Sequence, residues 1–213
     1  MLELGLKMLI AYLVGSLSGS LLVGKLYGGV DIRTSGSGNA GGTNALRTQG
    51  SVFAMWVVLI DIAKGALAVW WVPGLEIPGL GVDPAVSRDW LQVACAGAAV
   101  AGHVYPVWFD FRGGKGAATL VGVFLVLIPK LVIVVIVVWV LVLVLTGYVG
   151  LSTMSGAVAA ALALYLTSGL SNPPLLSFLV LMALFVLYTH RENIIRMRQG
   201  TENRMRKVML FRQ

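Results

Sequence analysis

Charge is scarce in this chain: of 213 residues only 12% are Asp, Glu, Lys or Arg, about half the share usual in soluble proteins. It is also unevenly placed, since no charged side chain occurs between Lys130 and Arg191. A soluble domain cannot cover so long an apolar run. A hydrocarbon-spanning helix needs about 20 mainly apolar residues, so this stretch alone can supply three spans. Cys95 is the only cysteine and there are two histidines, which excludes a disulfide framework and a Cys/His zinc cluster. What is abundant is apolar: 58% hydrophobic residues and a mean hydropathy of +0.88. The expected class is an all-α, multi-pass integral membrane protein, with residues 1–213 as one membrane-embedded domain. The net charge of +7 then reads as loop topology, with no nucleic-acid partner.

Hydropathy and turn residues divide the chain into seven transmembrane helices. They cover Met8 to Gly24, Ser51 to Val72, Trp90 to Trp108, a short Ala117 to Ile128, Leu131 to Leu145, Thr153 to Leu166, and Leu175 to Tyr188. The breaks fall at Pro129-Lys130, Gly147–Ser152 and Thr167–Pro174, where Pro, Gly, Ser and Asn supply turn chemistry. The tail carries Arg191, Arg196, Arg198, Arg204, Arg206, Lys207 and Arg212 against Glu192 and Glu202. The positive-inside rule puts that tail in the cytoplasm and, with seven spans, the N-terminus outside. Gly15 and Gly19 have the spacing of close helix packing. Asp61 and Lys64 share one helical face and must face protein or water, either as a structural ion pair or in a functional role.

Chemistry concentrates in three regions of the expected cytoplasmic side. Residues 31–47 read DIRTSGSGNAGGTNALR, and seven of the chain's 26 glycines fall between Gly28 and Gly50. Glycines let backbone N–H groups converge on an anion, and the fork of Arg matches phosphate oxygens. Residues 102–119, GHVYPVWFDFRGGKGAAT, lead a Gly-rich loop with Lys115 into a span, an arrangement suited to phosphate at a helix N-terminus. Gly116 follows Lys115 where a nucleotide-binding P-loop needs Ser or Thr, so NTP hydrolysis is disfavoured. Residues 190–204, HRENIIRMRQGTENR, put His190 and Asn193 one helical turn apart within a basic amphipathic tail that also suits anionic lipid heads. YVGLSTMS, Tyr148 to Ser155, is a weaker hydroxyl-bearing turn.

The segments GSGNAGGTNALR, GHVYPVWFDFRGGKGAAT and HRENIIRMRQGTE, supported by GSLSGSLLVGK and DIAKG, resemble the bacterial acyl-phosphate-dependent glycerol-3-phosphate acyltransferases of the PlsY type across essentially the whole chain. Ser18 stands where that family commonly has Pro, Gly42 where Ala is usual, and Tyr105 where Phe is usual. The resemblance implies transfer of a fatty acyl group from acyl phosphate to the 1-hydroxyl of glycerol 3-phosphate in the bacterial inner membrane. It implies an active site facing the cytoplasm, no metal or other cofactor, and no obligate protein partner. It also implies Arg33, Ser35, His190 and Asn193 at the reacting centre. Substrate binding would fall to Gly36, Gly38, Asn39, Thr43, Asn44, Arg47, Gly113, Gly114, Lys115, Gly116 and Ser152, with His103 in support and Glu202 structural. The base is either His190 or a phosphate oxygen of the donor. The His-x4-Asp pattern of common glycerolipid acyltransferases is absent, because Trp108 lies five residues beyond His103 and Ile195 five beyond His190. An organic-phosphate or anion transporter is the rival reading.

Overall fold

The computed structural model describes residues 1–210; Arg212 of the basic tail lies outside the described residues. Helices account for all the regular structure among them, apart from one isolated bridge between Ile77 and Leu80. The chain forms two compact units, residues 1–127 and 128–213.

In the first unit the opening span is broken: α1 (Leu2–Gly15) and α2 (Gly19–Leu26) are bent by 43°. The sequence led us to expect one continuous helix from Met8 to Gly24. The helix breaks without proline because α4 (Ser51–Trp70) supplies the partners that the interrupted backbone lacks. Asp61 Oδ1 accepts from the Gly19 N–H at 3.1 Å, and Lys64 Nζ donates to the Leu17 carbonyl at 2.8 Å. The two side chains pair at 2.8 Å and are 1% and 4% exposed, so the charges on this face are an ion pair that also caps a kink.

Glycines set how closely the helices approach. A Cβ on Gly15 would land on the backbone of Ala99 in α5 (Arg88–Val104), and one on Gly102 would land on that of Tyr12. A Cβ on Gly65 or Gly122 would likewise strike the facing backbone of α6 (Ala117–Leu127) or α4, at Thr119 and Ile62. Without a hydrophobic driving force between helices in lipid, such backbone approach is what holds spans together. At the other end of α1, buried Glu3 accepts from Lys7 at 2.9 Å and from Arg88 at 2.6 and 2.9 Å. The short helix α3 (Gly42–Gln49) lies on α4 through Ala45, Phe53, Ala54 and Val57.

In the second unit, α7 (Pro129–Thr146) and α8 (Val149–Ser168) make a hairpin turned by Gly147 in the left-handed region, φ 73°. Helix α9 (Pro173–Thr189) starts with Pro at its first position and an Asn172 cap, then bends by 53° into α10 (Arg191–Arg198). The sixth span therefore begins at Val149, and Ser152 is helical; the expected turn through Ser152 stops at Tyr148 because Gly147 alone reverses the chain.

Three helical stretches, Ser51–Gly74, Pro129–Thr146 and Val149–Ser168, are long and apolar enough to cross a membrane. Each of the two bent pairs passes the same test when its helices are taken together, while α5 and α6 are shorter. Helix α7 turns Ile133, Ile136, Val137, Val140 and Leu141 outward, a surface that only hydrocarbon suits.

Candidate active site

The first unit carries two of the three motif regions and ties them together. Asp31 caps a short 3₁₀ turn at Ile32–Thr34 and receives the Arg33 guanidinium. Arg33 Nε donates to both Asp31 oxygens at 3.0 and 3.1 Å, and Nη2 donates to Oδ2 at 2.8 Å. Nη1 turns the other way, donating to the carbonyls of Phe109 at 2.9 Å and Arg112 at 3.3 Å. Arg33 is therefore a clamp between the two loops. The hydrogen bond from Arg33 holds the Asp31 carboxyl below its usual range, and Asp31 raises Arg33 in return.

Asn44, 1% exposed, organises the first loop from inside. Its Oδ1 accepts from the Ser37 N–H at 2.9 Å, and its Nδ2 donates to the carbonyls of Ile32 at 2.9 Å and Ser35 at 3.0 Å. Gly36, at φ 60°, lies so close to that amide that no Cβ would fit. Asn44 thus shapes the loop, and the outward groups are Ser35, Gly36, Ser37 and Gly38, followed by Thr43 and Arg47 on one exposed face of α3. Asn39 is half-buried against Gly41.

In the second loop Gly113 and Gly114 turn their amides toward α5. Their N–H groups donate to the carbonyls of Val104 and His103, each at 3.1 Å, and so cap the end of α5. They have no N–H left to converge on an anion. Their lack of side chains lets the loop fold flat on α5: a Cβ on Gly114 would strike His103 Nε2, with Cε1 at 2.8 Å. The anion-binding capacity moves one step along the chain, to half-buried Lys115, to Gly116 at φ 88°, and to the first turn of α6, whose N–H groups lie outside the helix's own ladder. The Ala40 N–H donates to the Gly113 carbonyl at 3.4 Å, a second tie between the loops.

In the second unit His190 sits at the joint of α9 and α10, 5% exposed. Its Nδ1 is 2.8 Å from the Val186 carbonyl, which can only accept, so Nδ1 carries a proton. Asn193 Nδ2 donates to Glu202 Oε1 at 3.1 Å, and Arg196 Nε donates to Oε2 at 2.8 Å. Glu202 thereby fixes which way the Asn193 amide faces. Gly150 gives the start of α8 room beside that amide, where a Cβ would be 3.1 Å from its Cγ. Ser152, fully buried, donates to the Tyr148 carbonyl at 2.9 Å, so its hydroxyl proton serves its own helix.

The fold and these sites define a helical integral membrane protein that carries Arg- and Lys-bearing glycine loops on one unit and an oriented His-Asn pair on the other. The chain belongs to the glycerol-3-phosphate acyltransferase family, whose profile matches residues 5–200. It is 41% identical to the glycerol-3-phosphate acyltransferase of Thermus thermophilus over 93% of both chains. It is 38% identical to that of Chlorobaculum tepidum, covering 92% of this chain and 94% of the relative. Two crystal structures of PlsY (YgiH), an integral membrane glycerol 3-phosphate acyltransferase, match at 30% identity. Its glycerol 3-phosphate form has a TM-score of 0.80 with 95% of each chain covered, and its lysophosphatidic acid form 0.78 with 94%.

Sequence reasoning noticed Asp61 and Lys64 but missed their third neighbour, His103, whose Nδ1 is 3.4 Å from Asp61 Oδ1. The i, i+3 spacing was visible; nothing in the sequence links residue 61 to residue 103. Arg196, by sequence one of the tail's several basic residues, holds Glu202.

Proposed function

We propose that the chain transfers a fatty acyl group from acyl phosphate to the 1-hydroxyl of glycerol 3-phosphate, giving 1-acylglycerol 3-phosphate and inorganic phosphate, the first step of phospholipid synthesis. One observation carries this reading: the solved relative has been captured with glycerol 3-phosphate and with lysophosphatidic acid, the acceptor and the product of such a transfer. The protein lies in the bacterial inner membrane with seven spans, its N-terminus outside and its motif loops and tail in the cytoplasm, where a water-soluble acceptor is met. The basic tail meets anionic lipid heads, and residues 1–213 act as one domain.

Acyl phosphate is already an activated mixed anhydride, so the reaction needs neither metal nor cofactor. Positioning and charge stabilisation do most of the work. Lys115, Gly116, Thr43 and Arg47 bind the acceptor phosphate. Gly36, Gly38 and Ser35 line the donor phosphate, while Asn39, Asn44, Arg33, His103, Gly113, Gly114 and Ser152 hold the loops and helix ends in shape. The hydroxyl oxygen attacks the acyl carbonyl carbon, the new ester C–O bond forms, the bond from that carbon to the phosphate oxygen breaks, and phosphate departs. The hydroxyl proton passes to Nε2 of His190, the ring nitrogen opposite the one that donates to the Val186 carbonyl. Asn193, held by Glu202, orients the acceptor.

Purified protein given long-chain acyl phosphate and glycerol 3-phosphate should release phosphate and lysophosphatidate in equal amounts. Activity with acyl-CoA and none with acyl phosphate would overturn the donor.

A further inference from the structure

We propose that Asp61 is a positioning residue for acceptor binding, acting through His103 on the loop that carries Lys115; this rests on the assignment of that loop to the phosphate of glycerol 3-phosphate. The observations lie in one unit and form one chain of contacts. Asp61, Lys64 and His103 are 1%, 4% and 2% exposed. The His103 ring stands between them and the loop: Nδ1 is 3.4 Å from Asp61 Oδ1, while Nε2 and Cε1 lie against Gly114 so tightly that a Cβ there would not fit. The carboxylate packs against the ring at ion-pair distance, without a hydrogen bond to it, and the ring limits where the backbone can stand one residue before Lys115.

The same carboxylate reaches the first loop by a second path. Asp61 holds the Gly19 N–H at 3.1 Å, and the next residue, Ser20, donates to the Ala40 carbonyl at 3.0 Å. The Ala40 N–H reaches the Gly113 carbonyl at 3.4 Å. Both glycine loops are thus referred to one buried carboxylate. Asp61 Oδ2, His103 Nδ1 and Thr119 Oγ1 are buried without a hydrogen-bond partner, so the cluster is a costly way merely to join helices that apolar residues would pack as well. A rigid polar strut under a loop that must hold a dianion gives that cost a purpose, because preorganised groups bind charge without rearranging.

The test compares KM for each substrate, kcat and thermal stability. Asp61→Asn should raise KM for glycerol 3-phosphate about tenfold, with KM for acyl phosphate and kcat moving no more than about twofold. His103→Asn keeps a polar atom near the Nδ1 position but removes the ring edge from Gly114, and should give the same rise. The double variant should be no worse than the larger single one, since both act along one path. Asp61→Asn leaves Lys64 buried without its partner, so the neutral pair Asp61→Asn/Lys64→Met is measured as well and should show the same KM rise in a folded protein. Lys115→Ala separates this proposal from the reading beneath it. If Lys115→Ala does not raise KM for glycerol 3-phosphate, the loop assignment fails. If Lys115→Ala raises it while Asp61→Asn and the neutral pair lower only thermal stability, the positioning role alone is overturned.

Discussion

Replacing Gly15 with alanine separates close helix packing from every other contribution to stability. The new methyl group would land on the Ala99 carbonyl oxygen and 2.7 Å from that residue's carbonyl carbon and Cα, whereas ordinary contact begins near 3.4 Å. All three atoms are backbone, so no rotamer can yield, and α1 and α5 must part by roughly an ångström along their crossing. Overpacking of this kind costs up to about 3 kcal/mol. Alanine returns about 1 kcal/mol through helix propensity. The net loss of about 2 kcal/mol corresponds to a fall of roughly 4–8 °C in Tm for a chain of this size. Gly5 supplies the control: it lies in the same helix with nothing within 4 Å of its added Cβ, so Gly5→Ala keeps only the propensity gain. Thermal unfolding in detergent can be followed by intrinsic fluorescence of the six tryptophans. A Gly15→Ala protein that melts with Gly5→Ala would refute the packing account.

The Arg33 clamp is tested by Arg33→Lys, which cannot serve Asp31 and two carbonyls at once; kcat/KM should fall roughly tenfold or more, and a change under twofold would show the loops need no clamp. Because Arg33 holds the folded Asp31 carboxyl below its usual range, the pair stabilises fully above about pH 4–5 and weakens as pH falls through the lowered value. The Tm difference between wild type and Asp31→Asn should therefore shrink as pH is lowered below about 4, and a constant gap would remove the ionised pair as its source. Glu202→Gln keeps the size but weakens the hold on Asn193 and Arg196; turnover should drop about tenfold, and an unchanged kcat would take Glu202 out of the mechanism. His190→Ala should lower kcat by two orders of magnitude or more on a general-base role, about the contribution such groups make, with near wild-type turnover assigning the proton to the donor phosphate instead.

The apolar segments and the pairing of Asp61 with Lys64 were legible in the sequence, because each follows from a local period or spacing; Gly15 and Gly19 do pack closely, but from two helices onto α5 and α4 respectively. The broken first span was not, since Ser18 carries no turn chemistry strong enough to stop a helix and the partners that make the break tolerable sit 42 and 47 residues away in α4. Gly113 and Gly114 looked like an anion cradle by composition, but whether an N–H faces a ligand or the end of α5 depends on how the loop folds back. Arg33 and Asn44 were picked out for chemistry that suits phosphate equally well. Their actual partners are backbone carbonyls and amides in loops that a single sequence cannot register against one another.

Helix α4 also works as a ruler. Its 20 residues span about 30 Å, and Asp61 sits ten residues in, about 15 Å along. At that level α1 stops, α5 ends beside it at His103, and α6 starts out again with Thr119 against Gly65. From there α6 has eleven residues, about 17 Å, against the roughly 30 Å hydrocarbon thickness of an ordinary bilayer. Helix α6 is thus little more than one leaflet long. Host-membrane thickness becomes a property this protein feels, and reconstitution into thicker bilayers should strain that short helix first.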